Sequence, residues 1–326
     1  MEKPKSFAYT LVLILICLGF AIGSNYGMEL ITKTNMIYMI KEPKKIGAVY
    51  MTYNNPFYQI LNGELKKIVN KNGDTLITLD PALSLSKQKK EIEYLIDDQK
   101  VDALVITPVN YKGLENVLKK AKIKNIPVIV VDTEVSNTKY ISYNVSSDNY
   151  NAGVQCAQDM MLHLSSARIV LVEHSDANSA KLRIQGFLDT IKDQPSYQIV
   201  QRMECKGQLE KAMPKMEAFL QKGIDFDVVM CLNDPSALGA MAALEEMNIL
   251  DGKYVYGIDG TPETKQLIQE GRMQATITQS PKVMGKKAGH AIYKLFKNKK
   301  IKKIEVLPVQ KITKENVSDY SLEEWQ

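Results

Sequence analysis

Five polar residues stand just past five apolar runs, and their types set the chemistry to be explained. Asn55 follows the run 46–51, Asp132 follows IPVIVV, Asn233 follows VVMCL, Asp259 follows YVYGI and Gln279 follows ATIT. Carboxylates accept hydrogen bonds and amides both donate and accept, so the set suits grasping a polar ligand. Phe57 and Tyr58, beside Asn55, add two aromatic faces. There is no nucleophile elbow, no glycine-rich phosphate loop and no metal triad. His163, His174 and His290 are scattered without ligand spacing. Binding without reaction is therefore expected, with no metal and no cofactor.

The elements that position these residues repeat one pattern. Ile46–Met51 reads as a buried strand; Asn54 and Asn55 supply N-cap chemistry, and Pro56 suits a first helical position. Ile60, Leu61, Leu65, Ile68 and Val69 then recur at helical spacing, with Gly73 fitting the C′ position. Pro235, Pro262 and Pro281 mark the same strand-to-helix entry. In open α/β sheets ligands bind at the carboxyl ends of strands, which is where the polar residues fall. Strands are expected near 46–51, 75–80, 102–106, 127–131 and 140–145, with helices near 56–72, 86–99 and 113–123. A second set has strands near 168–172, 197–203, 227–232, 254–258 and 274–278. Its helices fall near 150–162, 179–192, 208–221, 234–247 and 262–270. Such alternation implies parallel strands with right-handed crossovers, here in two doubly wound lobes of an α/β protein.

The chain of 326 residues is long enough for two ordinary domains, and its 45% hydrophobic and 24% charged content is that of a globular protein. The net charge of +5 is mild, and much of the excess lies in KNKKIKK, 297–303, after the helical run Val283–Phe296. Cations near a helix C-terminus in solvent explain it, and no basic-aromatic interleaving suggests nucleic acid. Cys17, Cys156, Cys205 and Cys231 are too widely spaced for a zinc pattern and read as free thiols, with Cys205 open to exposure. Lys3 and Lys5 precede an uncharged stretch that begins at Phe7 and runs through Met28. The expectation is a cytoplasmic tail over 1–6, a transmembrane anchor or signal sequence over 7–28 and a stalk over 29–44. The lysines direct everything after the anchor to the outside of the cell. Ala21-Ile22-Gly23 offers a cleavage site, but an uncleaved single-pass anchor is favoured.

Seven segments carry a resemblance: NNPFY, the VD at 131–132, SSDN at 146–149, RIQGF at 183–187, NDPSALGA at 233–240, GIDGTPE at 257–263 and TQSP at 278–281. In this order and spacing they resemble the ribose-binding branch of the periplasmic sugar-binding proteins, over roughly 45–320. The resemblance implies a three-strand hinge crossing between lobes near Ser147–Asp148, Gln279–Ser280 and Pro308. A membrane-proximal lobe would hold 45–147 and 280–308. The outer lobe would hold 148–279 and 309–326, with Val309–Thr313 returning to it as a strand.

The resemblance also implies a ligand-binding set of Asn55, Phe57, Tyr58, Asp132, Thr133, Arg183, Asn233, Asp259 and Gln279. That inventory suits a sugar: carboxylates accept from neighbouring hydroxyls, arginine donates through a planar fork, and aromatic rings meet the C–H faces. Each residue also has a plainer reading. Asn55 equally suits a helix cap, Asp132 and Asp259 suit turns, Phe57 and Tyr58 suit core packing, and Asp234 suits a cap. Arg183 lies beside the stripe Ala180, Ile184, Phe187 and Ile191, as a snorkelling surface arginine would. Two departures affect the ligand. Thr133 stands where ribose binders have an arginine, and CKGQ at 205–208 replaces an aromatic wall. Lys206 is a candidate to face the cleft instead; His174 and Asp176, in the loop before the Arg183 helix, are candidates for its rim, though exposed loop residues are the favoured reading.

The implied function is capture of a monosaccharide, a pentose or hexose, for an ABC permease or a membrane histidine kinase. The alternatives are a receptor for a furanosyl signal of the autoinducer-2 type, or a sugar-responsive regulator of the lactose-repressor type without its DNA-binding domain. A hydrophobic segment occupies the place of the helix-turn-helix such a regulator needs.

Overall fold

A computed structural model describes residues 42–325 together with Gly19 and Gly23. The tail 1–6, the expected anchor or signal sequence 7–28 (those two glycines apart) and most of the stalk 29–44 lie outside the described residues. Among the described residues no helix is long and apolar enough to cross a membrane.

From Lys45 onward strands and helices alternate as β1 (Lys45–Val49), α1 (Pro56–Lys71), β2 (Thr75–Leu79), α2 (Leu85–Asp97), β3 (Ala103–Ile106), α3 (Glu115–Ile123), β4 (Val128–Asp132) and β5 (Tyr143–Ser147). There follow α4 (Asn149–His163), β6 (Ala167–Glu173), α5 (Asn178–Ile191), β7 (Tyr197–Glu204), α6 (Leu209–Leu220), β8 (Val228–Cys231), α7 (Asp234–Glu246), β9 (Tyr254–Asp259), α8 (Pro262–Gln269) and β10 (Ala275–Thr278). The last elements are α9 (Pro281–Phe296), β11 (Ile304–Leu307) and β12 (Lys311–Ile312). Two six-stranded sheets result, in the orders β2-β1-β3-β4-β5-β11 and β7-β6-β8-β9-β10-β12. All pairings are parallel except β12 with β10. Strands β3, β4 and β8 are buried at every residue, because helices cover both faces of a parallel sheet.

Local chemistry fixes the strand-to-helix turns. Asn55 Oδ1 accepts the Phe57 amide at 2.9 Å, Asn233 Oδ1 the Ser236 amide at 3.1 Å, and Asp148 Oδ1 the Asn151 amide at 3.1 Å. Each satisfies an amide that the first helical turn leaves unpaired. Strand β11 is not among those expected, and two expected strands differ in extent. The one expected near 140–145 begins at Tyr143, because Asn137 accepts the Lys139 amide and Thr138–Tyr140 closes into a 3-10 turn. The strand expected over Val309–Thr313 is reduced to Lys311–Ile312, and Asn316 turns the chain by accepting the Thr313 amide at 2.8 Å.

The chain passes between the sheets three times. It leaves β5 after Ser147 for α4, which packs on β9, β10 and β12; it leaves β10 for α9, which packs on β4 and β5; and it goes from β11 through Pro308 to β12. Helices α4 and α5 cross very closely. A Cβ on Gly153 would lie 1.8 Å from the Arg183 carbonyl oxygen, and one on Gly186 would lie 2.0 Å from that of Tyr150. This contact sets the position of α5 and of the Arg183 it carries.

Candidate ligand-binding cleft

The carboxyl ends of both sheets face one cavity. The first sheet's segments contribute Met51, Thr52, Asn55, Phe57, Tyr58 and Asp132 to its wall. The second's contribute His174, Ala177, Ser179, Ala180, Arg183, Lys206, Gly207, Gln208, Leu232, Asn233 and Asp259, and Gln279 lies at a crossing. In each sheet β1 or β6 lies between strands that run on in opposite directions through the order, so the cavity sits at two facing switch points.

Asp132 ends β4 with φ +68°, a left-handed conformation that costs a non-glycine residue energy and brings its carboxylate into the cavity wall. Its Oδ2 accepts from the Tyr58 hydroxyl at 2.9 Å, and Tyr58 stacks on Tyr50 with ring centroids 5.6 Å apart. Arg183 is 3% exposed, so the surface reading of its stripe does not apply. Its Nε donates to Asn149 Oδ1 at 2.9 Å and its Nη1 to the Leu232 carbonyl at 2.9 Å, with Asp259 Oδ1 3.8 Å from Nη1. Gln279 links a crossing to the site: its Nε2 donates to Asp259 Oδ1 at 2.6 Å and its Oε1 accepts from Ser147 Oγ at 3.0 Å. Asn233 Oδ1 caps α7, and one of its two Nδ2 hydrogens is donated to the Gly207 carbonyl at 3.1 Å. Beneath the site Asp234, fully buried, accepts from the Thr261 amide and the Thr264 and Thr276 hydroxyls, locking α7 to the β9–α8 turn.

Burial dominates the electrostatics. It raises the Asp132 carboxyl above its ordinary value, against the Arg183 guanidinium and the Tyr58 hydroxyl. It raises Asp259 well above its ordinary value, against Arg183 and Gln279 and with Asp234 and Asp132 adding to the rise. The Tyr58 phenol is raised by burial and by Asp132, so it stays protonated and donates. Burial lowers the His174 imidazole, opposed by Glu204 and Asp176, and keeps it neutral near pH 7. Among the described residues Asn55 Nδ2, Asp132 Oδ1, Asp259 Oδ2 and Arg183 Nη2 have no hydrogen-bond partner. The cavity thus presents two acceptors and two donors beside the rings of Phe57 and Tyr58.

All the residues of the expected ligand set line the cavity except Thr133. Thr133 is fully buried, and its Oγ1 accepts the Ser179 amide at 2.9 Å, a contact between segments of the two sheets. Thr133, one residue beyond Asp132, does not line the cavity and instead bonds across to the other lobe's segment. Of the expected hinge residues, Ser147 bonds Gln279, Asp148 caps α4, Ser280 occupies the N-cap of α9 without a side-chain cap bond, and Pro308 follows β11. His174, expected as exposed, is 4% exposed and lines the wall, while Asp176 accepts from Asn110 Nδ2 at 2.6 Å across the sheets. Cys205 is buried, its Sγ 3.2 Å from Ser236 Oγ. Lys206, at φ +54°, lines the wall with Gly207 and Gln208. Met51, Thr52, Ala177, Ser179, Ala180, Gly207, Gln208 and Leu232 escaped sequence reasoning, because nothing in their types marks a residue as facing the cavity.

Known proteins are similar to this chain in sequence and fold. Residues 46–300 match the periplasmic binding protein domain. The ribose import binding protein of Bacillus subtilis is 30% identical over 274 residues, 83% of this chain and 87% of that protein. The galactofuranose-binding protein of Escherichia coli is 28% identical over 230 residues, 68% of this chain and 72% of that one. Among solved structures, an ABC transporter solute-binding protein from Agrobacterium vitis with bound D-fucose superposes with a TM-score of 0.79 at 26% identity. That match covers 84% of this chain and 96% of the other. These relatives are solute-binding proteins, not enzymes.

Proposed function

The chain belongs to the periplasmic binding protein domain family, and from that premise we propose that it is an extracytoplasmic receptor whose lobes close around one uncharged monosaccharide. The observation that carries this reading is the set of open polar atoms on Asn55, Asp132, Arg183 and Asp259, drawn from both lobes and set beside Phe57 and Tyr58. Hydroxyls, which both donate and accept, satisfy that mixture, whereas a cation or an anion would leave half of it unpaired. Relatives that take ribose, galactofuranose or D-fucose support the same class.

In this reading residues 45–147 and 280–308 form one lobe and 148–279 with 309–326 the other. The three crossings at Ser147–Asp148, Gln279–Ser280 and Pro308 serve as the hinge, and Gln279 couples a bound sugar to it through Ser147 and Asp259. The uncharged segment 7–28 tethers the receptor to the cell membrane. A fixed tether favours a standing complex with a membrane partner, either a sensor histidine kinase or an ABC permease. A thermal-shift screen against pentoses and hexoses tests the ligand class. The true sugar raises the melting temperature by mass action, and a panel with no effect removes the reading.

A further inference from the structure

Phe57 of α1 lines the polar cavity, and its ring is held by two others. Tyr58, the next residue, meets it edge-on with centroids 5.3 Å apart and planes at 84°. Trp325 meets it from far along the chain, with centroids 5.8 Å apart and planes at 65°. The segment that brings the indole there is fastened to the second sheet's lobe. Strand β12 pairs with β10, and the turn Val317–Asp319 packs on α8. Lys265 of α8 is fully buried and donates its Nζ to the carbonyl of Ser321 and, at 2.5 Å, to that of Glu324. These bonds fix the backbone up to the residue before Trp325. From there the segment reaches the first sheet's lobe at two points: Glu324 pairs with Lys282 of α9 at 2.6 Å, and the indole meets Phe57. Around the indole, Asn55 and Pro56 from one lobe face Pro235 and Leu238 from the other.

We infer that Trp325 is a positioning residue for the sugar site: carried by one lobe, its indole fixes the Phe57 ring of the other when the lobes close. This deepens the receptor reading and rests on it. An edge-on aromatic pair contributes beyond the apolar area it buries, and the contribution is lost when the rings part. A contact made only in the closed state shifts the balance toward closure, and a bound sugar leaves through the open state. Trp325 therefore slows sugar release and leaves sugar entry unchanged. The Lys282–Glu324 pair adds little, because its side chains are 35% and 68% exposed.

The full-length protein is titrated by calorimetry with D-ribose, D-fucose, D-galactose and D-glucose, and release of each tritium-labelled sugar is timed. The emission of Trp325, the one tryptophan of the chain, is followed alongside. A sugar that binds the wild type shifts that emission as the indole meets Phe57. For the same sugar Trp325→Ala and Trp325→Leu each weaken affinity about three- to tenfold, through faster release at an unchanged association rate. Trp325→Phe keeps a ring against Phe57 and restores affinity to within about twofold of the wild type. If the alanine and leucine variants melt at a lower temperature yet bind as tightly as the wild type, the indole only packs its own segment. That result, or a sugar that binds without moving the emission, overturns the inference and leaves the receptor reading standing. Failure of all four sugars to bind the wild type overturns both.

Discussion

Arg183 and Asp259 show how the site is held before any ligand arrives. The guanidinium is fixed at Nε and Nη1 by Asn149 and the Leu232 carbonyl, so its remaining edge is aimed without loss of rotamer freedom on binding. Asp259 is held by Gln279 and attracted by Arg183, yet burial leaves it well above its ordinary value. The folded protein therefore binds that proton more tightly than the unfolded chain. Stability falls as the pH rises from the usual carboxylate range through the folded value, and it recovers as the pH is lowered. Between about pH 7 and about pH 5 the wild type should gain more stability than Asp259→Asn, which lacks the titrating group. Denaturant midpoints of the two proteins measure this; an equal or larger gain in the variant contradicts it. Sequence made Asn55, Asp132, Asn233, Asp259 and Gln279 legible, because each stands at or shortly past the end of an apolar run. Arg183 was legible only through the resemblance, since its helical stripe fits a surface residue equally well. Thr133 was misread because neighbouring residues at a strand end face opposite sides, and the resemblance fixed a position without its orientation.

At the scale of elements, the precision of the site depends on how closely helices approach. Gly153 and Gly186 bring α4 and α5 together, so that Asn149 at the start of α4 reaches Arg183 on α5. A methyl at Gly186 would sit within 2.0 Å of a backbone oxygen, which no side-chain rotation relieves. Gly186→Ala should destabilise the protein by about 1–3 kcal/mol from overpacking, less the fraction of a kcal/mol that alanine's helix propensity returns. It should also weaken sugar binding, because α5 must move and take Arg183 with it. Chemical denaturation and a binding titration read the two effects, and a variant as stable as the wild type would refute the close-contact account. Strand and helix order was readable because strands without a polar face, N-capping residues and prolines punctuate the chain so regularly. The turn at Thr138–Tyr140 was not, because it depends on one asparagine's local bond to a lysine amide.

The whole molecule is held closed by contacts that sequence periodicity does not encode. The Ser179 amide donates to Thr133 Oγ1, the Tyr111 amide donates to the Asp176 carbonyl at 3.0 Å, and Asn110 bonds Asp176. These bonds join segments of different sheets and must break if the lobes open. Sugar binding should therefore slow hydrogen exchange at the Ser179 and Tyr111 amides more than at amides within either sheet; uniform slowing, or none, speaks against hinge closure. His174 belongs to this scale as well. It is 4% exposed in the cavity wall, although a reading of its own loop placed it in solvent.

The central claim is that polar atoms from both lobes grip one neutral sugar, and a calorimetric titration of wild type and Arg183→Met with the sugar that most raises the melting temperature tests it most directly. The account predicts saturable one-to-one binding to the wild type and a weakening of about ten- to a hundredfold in the variant, as loss of a charged hydrogen bond worth about 1.5–3 kcal/mol implies. Equal affinity in a folded Arg183→Met protein would contradict it.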